Sequence, residues 1–145
     1  SYLCAARKGD VLAMTWDQIR DEGIFIQQGK TNVKQIKEWT PRLKKAIEIA
    51  KSLRTGNVIS RWVICQANGK NYTGRGFDQG WMDARELARA KTNMALDFTF
   101  HDLKAKSISD YEGSTREKQM FSGHKTERQV NTYDRKVKVV PSLNK

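Results

Sequence analysis

The chain has 145 residues, with 27 Lys and Arg against 16 Asp and Glu, a formal charge of +11 at pH 7. That length suits one domain with a real core, and a 38% hydrophobic fraction with four Trp excludes a disordered basic tail. No apolar run approaches the ~18 residues of a membrane span, and so large an excess of positive charge points to a polyanionic partner, most simply nucleic acid.

In chain order, a short helix fits residues 8–14. Gly23 then breaks to a strand at 24–26. A turn follows at 29–32 and a second strand at 33–39, giving a hairpin. Thr40 and Pro41 open a helix, Thr as the cap and Pro at the first helical position. Leu43, Ala46, Ile47, Ala50 and Leu53 line one face of that helix, and Gly56 ends it. Residues 58–66 are a β-rich run, and 68–76 a loop with three glycines. Phe77, Trp81, Ala84 and Ala88 mark a helix over 78–91. Three short helices follow at 102–110, 115–121 and 127–133, the last opened by a capping box of Thr126 and Gln129. Residues 136–140 read as a short final strand stopped by Pro141. The expected fold class is mainly α with a small antiparallel β-sheet, an α+β domain.

The charge is uneven along this plan. Residues 30–75 carry eleven basic and two acidic residues, and 101–145 carry ten and six. Residues 1–29 and 76–100 each carry three basic and four acidic. One face built from the two basic segments would hold most of the positive potential. Cys4 and Cys65 lie far apart with no second pair of ligands, so they read as free thiols of a reducing cytoplasm and not as a zinc site.

The residues that can do chemistry are few. His101 and Lys104 are three apart on one predicted helix; His124 precedes the last helix, and Tyr133 ends it nine residues later. Arg7 stands in Ala6-Arg7-Lys8-Gly9-Asp10, and Lys30 on the hairpin turn. Arg7, Lys30, His101, Lys104, His124 and Tyr133 are a cationic set plus one phenol, which suits a phosphodiester. Attack on phosphorus builds negative charge on the non-bridging oxygens, and fixed cationic donors stabilise that state most. A phenol of pKa about 10 needs help to lose its proton, and a leaving alkoxide needs an acid such as Lys or His.

In these motifs the sequence resembles the catalytic domain of the tyrosine recombinases, in particular a phage or prophage integrase. The family's first motif matches Arg7 through Trp16, its hairpin lysine matches Lys30-Thr31, and its His-x-x-Arg box matches His101-Asp102-Leu103-Lys104. Its Gly-His box matches Gly123-His124, and its nucleophile Tyr133. Five motifs in the right order cover essentially the whole chain. The resemblance implies that Tyr133 attacks the scissile phosphate to form a 3′-phosphotyrosine and release a 5′-hydroxyl. It implies that Arg7 clamps non-bridging oxygens, Lys30 protonates the leaving oxygen, His101 is the general base and His124 hydrogen-bonds the phosphate. Asp10 would orient the Arg7 region, although an acid in the first turn of a helix is also favoured by the helix dipole.

Lys104 stands where the family has its second Arg. A flexible point charge replaces a planar fork, so Lys104 is expected to keep the phosphate contact with looser geometry, or with help from Lys106. Lys34, Lys37, Arg42, Lys106 and Lys125 are the expected contacts to the DNA backbone. The resemblance further implies no metal, no other cofactor and no membrane. It implies double-stranded DNA at an attachment or core site as partner, a tetramer with other protomers on it, and a cytoplasmic, nucleoid-associated place in a bacterial host. The domain expectation is one catalytic domain over 1–145, without the family's N-terminal core-binding and arm-binding domains, ending in a tail at 134–145. The function expected is integration or excision of phage or prophage DNA. The alternative is a weakened integrase remnant that only binds DNA.

Overall fold

The computed structural model describes residues 1–53, 58–137 and 139–143. A 3-10 turn at Tyr2–Cys4 leads into α1 (Lys8–Leu12), and a second at Trp16–Gln18 leads into the hairpin of β1 (Gly23–Gln27) and β2 (Lys34–Glu38). The strands are antiparallel, with Ile24 opposite Lys37, Phe25 opposite Ile36 and Gln27 opposite Lys34. Period-two alternation turns Ile24 and Ile26 inward. A lone hairpin cannot shelter that face. It is covered by α2 (Pro41–Ser52) and the N-terminal turns, in a core of Cys4, Ala6, Met14, Ile24, Ile26, Leu43, Ala50 and Val63.

Thr40 caps α2 through a bond from the Leu43 N–H, with Pro41 at the first helical position as expected. The buried stripe of α2 is narrower than its periodicity suggests. Leu43 and Ala50 are buried, but Ala46 is exposed and Leu53 is 73% exposed. The stop expected at Gly56 lies outside the described residues.

The second half of the fold is helical. α3 (Gly74–Thr92) is followed by α4 (Asp102–Asp110), α5 (Thr115–Ser122) and α6 (Glu127–Tyr133). The last three pack on one another and α4 packs on the first 3-10 turn. Ala5, Ile108 and Val130 form a second core there, with Phe121 and Tyr133 against it.

Four sequence expectations need correction. The glycine loop is shorter than expected, because Thr73 accepts a bond from the Gly76 N–H and so starts α3 at Gly74. Residues 58–66 form no strand; they contribute the single bridges Thr15–Trp62 and Cys65–Asn71. Thr126 does cap α6, but Gln129 reaches the Lys125 N–H and not that of Thr126, so the box is not reciprocal. The final strand is absent among the described residues 136, 137, 139 and 140, where Val137, Val139 and Val140 are 88, 100 and 73% exposed. Alternation by itself does not make a strand, and none of these residues pairs with β1 or β2. The fold class stands as expected: among the described residues there are six α-helices and a two-stranded antiparallel sheet.

Candidate active site

Three segments bring a phenol and two imidazoles together. Tyr133 is the last residue of α6, His101 stands at the N-terminal cap of α4, and His124 follows Gly123 just past α5. The Tyr133 hydroxyl lies 3.2 Å from His101 Nε2. On its other side the His124 ring stacks on the phenol at 4.8 Å between centroids, 26° from parallel. His101 meets the same ring edge-on at 5.4 Å.

The residues flanking Tyr133 are held from two helices. Asp134 accepts a 2.6 Å bond from Lys118 Nζ on α5, in a pair that is 11 and 8% exposed. Ser109 on α4 donates to the Tyr133 carbonyl and accepts from the Arg135 N–H. Arg135 also pairs with Asp102, the residue after His101.

A buried lysine lies close to His124. Lys104 is 1% exposed and donates from Nζ to the Ser122 carbonyl at 3.3 Å. Burial is the main reason that its pKa falls to about 7, and the charges of Arg7 and Lys37 lower it further against the pull of Asp10. His124 is 6% exposed. Burial, then the charges of Lys104 and Arg7, push its pKa down to about 4. It is therefore neutral at pH 7. Nδ1 lies 2.8 Å from the Ser122 hydroxyl, and buried Nε2 has no hydrogen-bond partner among the described residues. When the Ser122 hydroxyl gives its one proton to Nδ1 at 2.8 Å in place of the Gln119 carbonyl at 3.4 Å, Nε2 carries the ring proton and is an available donor.

Arg7 takes the N-terminal cap of α1 and is half-buried. Its Nη1 donates to Gln28 Oε1, the Thr31 hydroxyl donates to the same oxygen, and Gln28 Nε2 donates to the Ser122 carbonyl. Lys30 sits exposed on the hairpin turn. Asp10 fixes that turn by accepting from the Gly29 N–H at 2.9 Å. Arg7, Asp10, Gly29 and Lys30 share one cleft of about 440 Å³. Asp10 thus acts on the lysine turn more than on Arg7.

Of the expected backbone contacts, Lys34, Arg42, Lys106 and Lys125 are exposed. Lys37 is not: its ammonium is turned inward onto the Phe121 carbonyl and over the Phe121 ring, and burial lowers its pKa to about 8. It cannot meet a DNA backbone from there. Lys106 does not help Lys104 either. Two residues apart on one helix, they face opposite ways, and Lys106 pairs with Asp110 at a separate cleft. Gln28 and Ser122 are the residues that sequence reasoning missed. The signal for Gln28 was the inward parity of Ile24 and Ile26, which continues to it.

Chemically, this set can take a proton from a phenol and hold an anion over Lys104, Arg7 and His124. Among the described residues no group of three His, Cys, Asp or Glu is placed to hold a metal ion, and no helix is long and apolar enough to cross a membrane.

Comparison with known proteins sets this site in context. The model of the phage integrase family matches residues 1–138. No curated protein matches the sequence significantly. Among solved structures, a lambda integrase dimer bound to a COC′ core site superposes with a TM-score of 0.72 at 21% identity, over 99% of this chain and 53% of that one. XerA recombinase superposes with a TM-score of 0.71 at 18% identity, over 94% of this chain and 52% of that one. The lambda integrase catalytic core gives 0.67 at 21% identity, over 85% and 74%. The chain thus spans about half the length of the first of these structures, and identities this low speak for the fold.

Proposed function

The chain belongs to the phage integrase family, and on that premise we propose that it is the catalytic domain of a site-specific DNA recombinase. It cleaves and rejoins double-stranded DNA through a 3′-phosphotyrosine at Tyr133. The observation that carries this reading is the Tyr133 phenol, 3.2 Å from His101 and stacked on His124, with buried Lys104 bonded to the Ser122 carbonyl two residues before His124. Nothing in packing alone asks for two imidazoles around one phenol.

The chemistry runs in one reversible step. His101 Nε2 takes the phenol proton as the Tyr133 oxygen bonds to phosphorus. Arg7, protonated Lys104 and the neutral Nε2–H of His124 hold the non-bridging oxygens as their charge grows. The bond from phosphorus to the 5′ oxygen breaks, and Lys30 gives that oxygen its proton. A new 5′-hydroxyl reverses the step, so the phosphotyrosine stores the bond and no ATP is spent. An incoming phosphodiester raises the pKa of Lys104 from about 7, so binding itself keeps the lysine charged.

Supporting the wider setting, lambda integrase is seen as a dimer on a core site and as a tetramer on a Holliday junction. By that likeness the chain works with other protomers on an attachment site, in the cytoplasm of a bacterial host, to integrate or excise phage or prophage DNA. The test uses a pool of nicked suicide duplexes with randomised cores. The expected result is a covalent protein–DNA adduct that disappears in Tyr133→Phe. A duplex that binds without any adduct would leave only the DNA-binding remnant.

A further inference from the structure

We propose that Gln28 is the positioning residue of this site, because its one amide joins Arg7, the Lys30 turn and the Ser122 carbonyl between Lys104 and His124. The proposal rests on the recombinase reading and names what holds its cations in register. Gln28 is 2% exposed. Its Oε1 accepts from Arg7 Nη1 and from the Thr31 hydroxyl at 2.9 Å, and Thr31 is the residue after Lys30. Its Nε2 donates at 2.8 Å to the Ser122 carbonyl, 94 residues away, which also accepts from Lys104. The Ser122 hydroxyl in turn orients His124. Four of the residues proposed to act on the phosphate are thus tied, directly or through one neighbour, to a single side chain.

An amide meets both demands of that position. Arg7 and Thr31 bring donors, and Ser122 brings an acceptor, so the group between them must accept at one end and donate at the other. A carboxylate can only accept, and it would set its oxygen against the Ser122 carbonyl oxygen. Lys or Arg can only donate, and each would face Arg7. The network also fixes the amide's orientation, since a flip would set donor against donor and acceptor against acceptor. The chain makes room for it at Gly123. A Cβ there would stand 2.1 Å from Gln28 Nε2, and φ is +66°. The glycine of the Gly-His pair is required by the amide that passes over it.

The test runs the 145-residue chain against a duplex recovered from the randomised suicide pool. It compares wild type with Gln28→Met, which keeps shape and loses both bonds, and with Gln28→Glu, which keeps only the acceptor. Adduct formation at saturating duplex should fall about tenfold or more in both, while duplex affinity stays within about threefold, since a displaced Arg7 acts on the transition state more than on binding. A merely structural role would shift the melting temperature and leave that split unmoved. If Gln28→Met fails to fold, Thr31→Val removes one donor to the same oxygen and should slow adduct formation by roughly two- to fivefold. Adduct rates equal to wild type in the folded variants overturn the proposal alone. A wild-type chain that forms no adduct removes the recombinase reading and this proposal with it.

Discussion

α4, α5 and α6 bury Lys104, Lys118 and His124 among them, whereas α3, the longest helix at 19 residues, buries no residue at all. α3 is held at its edge, by the Lys8–Asp78 ion pair and by Phe77 and Trp81 set edge-on against Phe100. The difference separates two uses of positive charge. Where cations are exposed, they are solvated and available to a DNA backbone. Where they are buried, folding has been made less favourable to keep them: Lys118 bonds Asp134, the residue after Tyr133, and Lys104 bonds the Ser122 carbonyl, whose hydroxyl meets His124.

The two buried lysines of this region differ in turn, and mutation should separate them. Lys118 has a carboxylate partner in Asp134; Lys104 has only a carbonyl. Removing one half of a buried pair strands the other, so Lys118→Met should lose about 3 kcal/mol in urea denaturation. Lys104→Met should do the reverse, gaining about 2 kcal/mol because a buried ammonium with no bonded carboxylate, only the distant pull of Asp10, is replaced by an apolar side chain. A loss in Lys104→Met would place that lysine among the structural contacts.

pH sharpens the same contrast. His124 near 4 and Lys104 near 7 lie below their ordinary values of 6.5 and 10.5, as does Lys37 near 8. The unfolded chain therefore binds more protons than the native one across that range, and stability rises with pH. His124 contributes between about 4 and 6.5, and the lysines between about 7 and 10.5. For Lys104, burial and then the charges of Arg7 and Lys37 set this, opposed by Asp10. Denaturation midpoints should climb from about pH 5 to about pH 9, and less steeply above neutrality in Lys104→Met. The smallest effect belongs to α3. Thr73→Ala removes its cap and should shift stability by about 1 kcal/mol or less, with faster hydrogen exchange confined to that helix.

Much of this arrangement is legible in the sequence. His124 and Tyr133 are local neighbours joined by one short helix, so their spacing carries their meeting. The hairpin and α2 follow from alternation and a Thr-Pro start. The burial of Lys37 and Lys104 was also readable in principle. The hairpin register sets Lys37 opposite inward Ile24, and four residues along α4 set Lys104 on the face of Ile108. Both were passed over because a lysine is assumed to be wet. The role of Gln28 was not readable, because it depends on a carbonyl 94 residues away. The tail at 136–140 failed for a related reason. Its valines favour a strand, but a strand is a property of two paired segments, and the described residues 136, 137, 139 and 140 pair with neither β1 nor β2.

The central claim is that Tyr133, and no other tyrosine, is the nucleophile of a phosphodiester site. Peptide mapping of the adduct from the nicked suicide pool tests it most directly, since the chain has four tyrosines. The account predicts that the nucleotide label resides on the tryptic peptide of residues 129–135, which holds Tyr133. A label on Tyr2, Tyr72 or Tyr111, or one that survives Tyr133→Phe, would contradict it.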